Sequence, residues 1–105
     1  MGTGFEIEDI EEMRRRAGIE DVELREAIRG LHAGDLVKLT LLPGKALAGE
    51  TLVVRITRIT GDAFQGRLTG RPASAGLARL RAGSPVAFRA AHIHSIARRG
   101  AAPAR

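Results

Sequence analysis

The stretch TLVVRITRITGDAFQGRLT, residues 51–69, decides the fold of this chain. Apolar side chains recur at alternate positions before Gly61 and again after Asp62, which is the period of a β-strand with one buried face. Gly61 and Asp62 are turn formers, and glycine accepts the left-handed backbone that a tight hairpin requires. The stretch therefore predicts an antiparallel β-hairpin, with Arg55 and Arg67 on its polar face.

Further strands are predicted on both sides of this hairpin. Residues 36–42 form a hydrophobic strand that Pro43 and Gly44 end, residues 86–88 start a late strand, and the stretch around Ile93 closes a short further one. Matching parity on adjacent strands predicts one shared core, made of Leu52, Val54, Ile56, Phe64, Leu68, Val86 and Phe88.

Two helices are predicted before the strands. The first ends just before Gly18, and the second begins at Asp21, a suitable N-cap, and stops at Gly34. Because each helix has an apolar stripe to bury, we expect both to cover the inner face of the sheet and to leave its arginine face open. The two stripes are Ile7, Ile10, Met13 and Ala17, then Leu24, Ile28 and Leu31.

These elements define an α+β fold. An N-terminal helical hairpin packs on a strongly curved antiparallel sheet of four to five strands, close to a small SH3-like or Sm-like barrel. A chain of 105 residues is one domain by length. We predict a single α+β domain over residues 1–97, helical in 1–34 and β in 35–97, followed by a flexible basic tail over 98–105.

One nine-residue phrase occurs twice in the chain. Residues 31–39 and 80–88 share the form Leu-x-Ala-Gly-(Asp or Ser)-x-Val-x-apolar. A leucine that enters the core, a glycine that turns the chain and a departing strand explain this form physically. The phrase is too short to define a repeat of the domain.

Charge is distributed unevenly along the chain. Residues 1–35 hold ten acidic and five basic side chains, a balance of −5, whereas residues 36–105 hold two acidic and twelve basic ones, a balance of +10. Fifteen of the seventeen cations are arginine. This asymmetry favours either a polyanionic partner or pairing between the two halves of the chain.

Composition also disfavours several classes of protein. The chain has no cysteine, which removes disulfides, thiolate zinc ligands and cysteine nucleophiles. Its start is polar and acidic, unlike a signal peptide, and no apolar run nears the ~20 residues that span a bilayer. We therefore expect a cytoplasmic protein that does not enter a membrane.

No catalytic or metal site is predicted. His92 and His94 would share one face of a strand, with His32 as a third ligand, but without a fixed ligand spacing the simpler interpretation is two outward histidines. No serine stands in a Gly-x-Ser-x-Gly motif, and only two carboxylates follow residue 35. We expect no enzyme activity, no metal and no cofactor.

A basic patch is the candidate binding site. Alternation within the hairpin puts two arginines on one face, and other arginines follow nearby. Arginine suits phosphate, but stacking of bases needs aromatic side chains, and two of the three phenylalanines belong to the predicted core. The predicted patch consists of Arg55, Arg58, Arg67, Arg71 and Arg89.

Several features of the β half occur together. Glu50 opens a hydrophobic strand, residues 64–68 read Phe-x-Gly-x-Leu, Pro72 follows, and residues 83–88 read Gly-x-x-Val-x-Phe. This combination resembles the YegJ-like bacterial domain of unknown function, which implies a fold and no activity. The family's tryptophan and its closing aspartate–tryptophan pair are missing here, and serine replaces the aspartate of its Gly-Asp.

The sequence leaves two binding functions open. Residues 88–96 faintly resemble the last strands of Sm-like RNA-binding proteins, which supports nucleic acid by analogy. Taken with the acidic helices, the whole pattern predicts a small non-catalytic binding module whose first expected partner is another protein. The alternative is a nucleic-acid-binding domain that uses the basic sheet face.

Overall fold

The predicted α+β fold is present in the computed structural model, which describes residues 5–43 and 49–98. Two 3₁₀ turns, Ala75–Leu77 and Ala90–His92, precede the last two strands. The helices and strands are, in chain order, β1 (Phe5–Ile7), α1 (Ile10–Arg16), α2 (Val22–Arg29), β2 (Leu36–Pro43), β3 (Glu50–Thr60), β4 (Ala63–Leu68), β5 (Pro85–Arg89) and β6 (Ser95–Arg98).

In the described residues, one antiparallel sheet of six strands curls into a nearly closed barrel. Strands β2 to β5 pair in chain order, and the other side of β2 pairs with β6 near its start and with β1 near its end. The prediction of helices packed on a curved antiparallel sheet is confirmed, with six strands in place of the four to five expected.

The curved sheet encloses its own core. Phe64 and Phe88 lie directly opposite each other on β4 and β5, and their rings stack with 5.2 Å between centroids and 10° between planes. The predicted core is confirmed, except that Leu52 is half-buried. The sequence-based core omitted Val37, Leu39 and Leu41 of β2 and Leu77 of the first 3₁₀ turn, whereas Leu31, which was expected to enter the core, does so.

A β-bulge in β3 changes which side chains face the core. Ile56 pairs with Gly66, but the next pair involves Arg58, so Thr57 is an extra residue in the strand. Thr57 and Arg58 are both exposed, and the following Ile59 packs against the core. Strict alternation from Ile56 would have turned Arg58 inward, so the bulge is what keeps this arginine on the outer face.

The repeated nine-residue phrase forms the same turn twice. The glycine of each copy has a positive φ, +100° in the first and +91° in the second. The next side chain, Asp35 or Ser84, accepts a hydrogen bond of 2.9 Å from the backbone N–H three residues earlier. Backbone bonds then join the first turn to Ile56 and the second to Leu68. The two copies therefore attach the starts of β2 and β5 to the two strands of the hairpin.

The first predicted helix is wrong in part. Ile7 is the last residue of β1, and α1 begins at Ile10 with Asp9 as its N-cap. Met13 and Ala17 are exposed, so the predicted stripe is not buried as a unit. Seven helical residues make only two turns, and Ile10 is the one buried side chain of this helix.

The placement of the helices also differs from the expectation. Because the sheet closes on itself, its own side chains fill the inner face, and the helices pack at one side of the barrel. Helix α1 contacts the turn Ala90–His92, and α2 contacts β6. Helix α2 has no fully buried residue and ends at Arg29, so Leu31 reaches the core from beyond the helix.

The boundaries of the domain shift slightly at its end. Strand β6 runs to Arg98, which pairs with Leu36 of β2, although the prediction assigned Arg98 to the tail. The rest of the predicted tail, residues 99–105, and the turn residue Gly44 lie outside the described residues.

Candidate functional site

A groove of about 670 Å³ lies between α1, α2 and the turn Ala90–His92. We call it the helix groove. Its apolar lining consists of Ile10, Ile19, Leu24, Ile28, Ala90, Ala91 and Ile93, and its charged lining consists of Glu11, Arg14, Arg15, Glu20, Asp21, Arg25 and Arg29.

Local capping sets the path of the chain around this groove. An Oδ1 atom of Asp9 accepts the N–H of Glu12 at 2.9 Å, and Asp21 accepts the N–H of Leu24 in the same way, also at 2.9 Å. Gly18, between the helices, has a φ of +74°, which L side chains rarely adopt. The predicted caps at Gly18 and Asp21 are thus confirmed, and they fix where each groove wall begins or ends.

The Arg14 side chain links three segments around the groove. Its Nη2 donates to the carbonyl oxygen of His94 at 3.3 Å, and its Nη1 lies 3.7 Å from a carboxylate oxygen of Asp21. The side chain is partly buried, with 27% of it exposed. Arg14 therefore joins α1 to the start of α2 and to the segment before β6, a role that sequence patterns alone do not reveal.

In the acidic segment, residues 1–35, the arginines pair with carboxylates of the same segment. Each of its five basic side chains has a carboxylate oxygen within 4.0 Å, and none of these carboxylates comes from the sheet. Exposed pairs of this kind add little stability, but they cancel the local field. The charge split read from the sequence is therefore not balanced by helices lying across the arginines of the sheet. The pairs join Arg14 to Asp21, Arg15 and Arg16 to Glu12, Arg25 to Glu20, and Arg29 to Glu26.

The exposed large apolar side chains concentrate in the helical segment. In the described residues they are Met13, Ile19 and Val22, which are 48%, 56% and 54% exposed. All three belong to the helical segment, and Ile19 also lines the groove. Single exposed apolar residues are ordinary, but three within ten positions form a local surface feature, of which Ile19 belongs to the groove.

The outer face of the sheet brings other predicted residues together. Arg55 and Arg67 are directly opposite each other on β3 and β4. Leu36 of β2 pairs with Arg55 on one side and, across a register shift of one residue between β2 and β6, with Arg98 on the other. The three arginines therefore lie in one line across four strands, and we call Arg98, Arg55 and Arg67 the arginine row.

The remaining predicted arginines are placed differently. Arg58 lies on the same outer face, beyond the bulge, and is opposite Gln65. Arg89 ends β5, and its Nη2 is 3.5 Å from a carboxylate oxygen of Asp62. Arg71 is exposed in the segment after β4 and belongs to no strand. The structure thus brings together three of the five predicted residues, and it adds Arg98, which the register alone discloses.

The cations of this outer face have few partners. Within residues 5–43 and 49–98, no carboxylate lies within 4.0 Å of Arg55, Arg58, Arg98 or the exposed Lys38 on β2. Arg67 donates from Nη1 to the carbonyl oxygen of Gly83 at 2.8 Å, which leaves most of its guanidinium donors available.

The two histidines do not form the predicted outward pair on a strand. His92 ends a 3₁₀ turn, and its Nδ1 accepts the N–H of Arg89 at 3.0 Å. Burial lowers the pKa of His92, the charge of Arg89 acts in the same direction, and the carboxylate of Asp9 opposes both. His94 lies in the next segment, with Nδ1 3.0 Å from the hydroxyl oxygen of Ser95. Among the described residues, no group of three or more histidines or carboxylates is arranged to hold a metal ion.

Glu50 has a structural explanation. Its two carboxylate oxygens accept the backbone N–H groups of Ala73 and Ser74 at 2.7 and 2.9 Å. Those hydrogen bonds lower the pKa of Glu50, because they favour its ionised form. The glutamate that opens β3 therefore fastens the loop after β4 to the sheet.

Comparisons with protein-family models, with curated proteins and with solved structures found no match. The resemblances to the YegJ-like domain and to Sm-like proteins stay predictions. In the part of the chain that the structure describes, every helix is too short or too polar to cross a bilayer.

Proposed function

We propose that this protein is a small non-catalytic binding module and that the helix groove holds a segment of another protein. The observation that carries the proposal is the groove itself, an open space of about 670 Å³ with seven apolar lining residues. Apolar surface left uncovered in water is unfavourable, and a partner that covers it gains the corresponding free energy.

The lining indicates the chemistry of the partner. Helices form two of the groove walls, and side chains of both signs stand among the apolar ones. An amphipathic helix offers the matching surface, because its apolar stripe can enter the groove while charged residues beside the stripe meet Glu11 on one helix and Arg25 or Arg29 on the other. We therefore assign the groove to an amphipathic helical segment of another protein.

The charged side chains of the groove support binding rather than chemistry. Arg14, Arg15, Arg25 and Arg29 each pair with a carboxylate of the helical segment, so these charges already form ion pairs within the protein.

Two exposed apolar residues provide a matched test. Ile19 lines the groove and Val22 does not, although the two are almost equally exposed. A displayed library of random peptides, long enough for about four helical turns, would be selected against the folded protein. We expect the selected peptides to carry apolar residues at i, i+3 or i+4, and i+7. Ile19→Asp should weaken their binding about tenfold or more, whereas Val22→Asp should leave it unchanged.

Three results would contradict the proposal. Selection of no peptide would remove the groove as a binding site for helices. Peptides that bind Ile19→Asp as tightly as the unmodified chain would place the site elsewhere. Self-association in sedimentation experiments, lost in Ile19→Asp and kept in Val22→Asp, would make a second copy of this chain the occupant. Melting temperatures of both variants establish that each remains folded.

A further inference from the structure

We infer that the outer face of the sheet binds the phosphodiester backbone of nucleic acid, with Arg98, Arg55 and Arg67 as its contacts. This surface is separate from the helix groove, because none of the three arginines lines that groove. The inference therefore does not depend on the function proposed above, and either can fail without the other.

The register of the sheet carries the geometric part of the argument. Arg98 and Arg55 both pair with Leu36, and Arg67 is the direct partner of Arg55. With neighbouring strands about 4.8 Å apart, the row from β6 to β4 spans roughly 14 Å. Stacked nucleic acid carries one phosphate per about 3.4 Å of each strand, so the row can reach several consecutive phosphates.

The charges of this face are the second observation that supports binding of phosphate. Lys38 and Arg58 flank the row on β2 and β3, which makes five outward cations across β6, β2, β3 and β4. The outward side chains between them are uncharged, whereas every arginine of the described helical segment has a carboxylate partner. Like charges directly opposite each other on neighbouring strands destabilise a sheet. The unneutralised pair of Arg55 and Arg67 is therefore unfavourable for folding alone, and a bound polyanion would relieve it.

The side chains also indicate how the nucleic acid is recognised. Guanidinium groups match phosphate oxygens in two-point contacts, which position a strand without reading its sequence. Phe64 and Phe88 are buried in the core and cannot stack on bases at this face. We therefore assign the face to backbone binding that is insensitive to sequence and strongly dependent on salt.

The test is a salt titration of binding to mixed-sequence single-stranded DNA and RNA, measured by fluorescence anisotropy between about 50 and 200 mM salt. Single strands lose affinity with a log–log slope of about −0.7 per neutralised phosphate. Arg55→Gln combined with Arg67→Gln should reduce the magnitude of the slope by about 1.4 and weaken binding at every salt concentration.

A charge-matched double variant serves as the control. Arg16→Gln with Arg79→Gln removes the same number of positive charges, two, from exposed positions outside the sheet strands. We expect its slope and affinity to stay close to those of the unmodified chain, and melting temperatures show that both double variants fold. Equal losses in the two double variants would reduce the effect to net charge and overturn the inference.

Three other results would also overturn it. A slope near zero, or no binding at low salt, would show that the arginine row makes no phosphate contacts. Binding to phosphatidylserine–phosphatidylcholine vesicles that depends on Arg55 and Arg67, without binding to DNA or RNA, would assign the row to a lipid surface instead. Strong preference among unrelated sequences would contradict recognition through the backbone.

Discussion

Replacement of Gly66 by alanine tests how closely the two strands of the hairpin approach. Gly66 is buried in the middle of β4, opposite Ile56. A Cβ at this position would lie 2.5 Å from Cγ1 of Val54 and 2.6 Å from the carbonyl oxygen of Arg55. Carbon atoms in ordinary contact are about 3.5–4.0 Å apart, so the strands would have to separate by close to 1 Å.

The expected loss follows from comparison with a second glycine. A Cβ added at Gly70 would meet no atom within 4 Å beyond its chain neighbours, and Gly70 has no positive φ that would strain an alanine. Both substitutions restrict the unfolded chain equally, a gain of about 0.4–1 kcal/mol that cancels between them. Overpacking then leaves Gly66→Ala less stable than Gly70→Ala by about 1–3 kcal/mol. For a domain of this size, that difference lowers the melting temperature by roughly 5–20 °C.

Urea and thermal unfolding followed by circular dichroism measure this difference. Val54→Ala removes the methyl group nearest to the new Cβ, so Gly66→Ala should cost less in a Val54→Ala background than alone. If Gly66→Ala were as stable as Gly70→Ala, the close approach of β3 and β4 and the register at Gly66 would both be refuted.

Four further results are expected. Phe64→Ala should lower the free energy of unfolding by about 3–5 kcal/mol, and an unchanged melting temperature would contradict the assigned core. Burial lowers the pKa of His92, so its neutral form stabilises the fold above the ordinary value near 6.5, and this contribution is lost as the pH falls through the folded pKa. His92→Asn should flatten that part of the stability–pH curve, and an unaltered curve would exclude the burial of His92 as its cause. The lowered pKa of Glu50 predicts a contribution to stability that is present above the ordinary value of 4.5 and is lost as the pH falls further. Glu50→Gln should remove this dependence of stability on pH, and its persistence would point to another carboxylate. Elemental analysis of untagged protein should find no stoichiometric metal, and one metal per chain would contradict the sequence-based expectation.

The hairpin and its core could be predicted from the sequence because their signals are local. Alternation along residues 51–69 specifies which side chains share a face, and Gly61 and Asp62 specify where the chain turns. The N-cap at Asp21 and the glycine after α1 are equally local, since each depends on a few adjacent residues. These features survive in the structure because tertiary packing agrees with them.

Short or interrupted elements could not be predicted in this way. Strand β1 has three residues, too few to show a period, so Ile7 fitted a helical stripe equally well. The bulge at Thr57 breaks the alternation of β3 without any glycine or proline to mark it. The extra residue is detectable only through its partners on β4.

The two candidate surfaces differ in how much of each the sequence discloses. Arg55 and Arg67 could be placed on one face from the hairpin pattern alone. Arg98 joins them only because β6 pairs with the far side of β2, a contact between residues that are 62 positions apart. The helix groove is even harder to predict from the sequence, because its lining comes from α1, α2 and the turn Ala90–His92, which are distant in the chain.

By itself, the sequence determined the class of fold, the position of the hairpin turn, most of the core residues of the hairpin and the separation of acidic from basic segments. Each of these depends on periodicity or on neighbouring residues, which act at short range along the chain. Only the tertiary structure decided that the sheet closes on itself, that the helices stand at one side with a groove between them, and that three arginines align. Those outcomes depend on contacts between segments distant in sequence, whose relative positions are set by the packing of the whole domain.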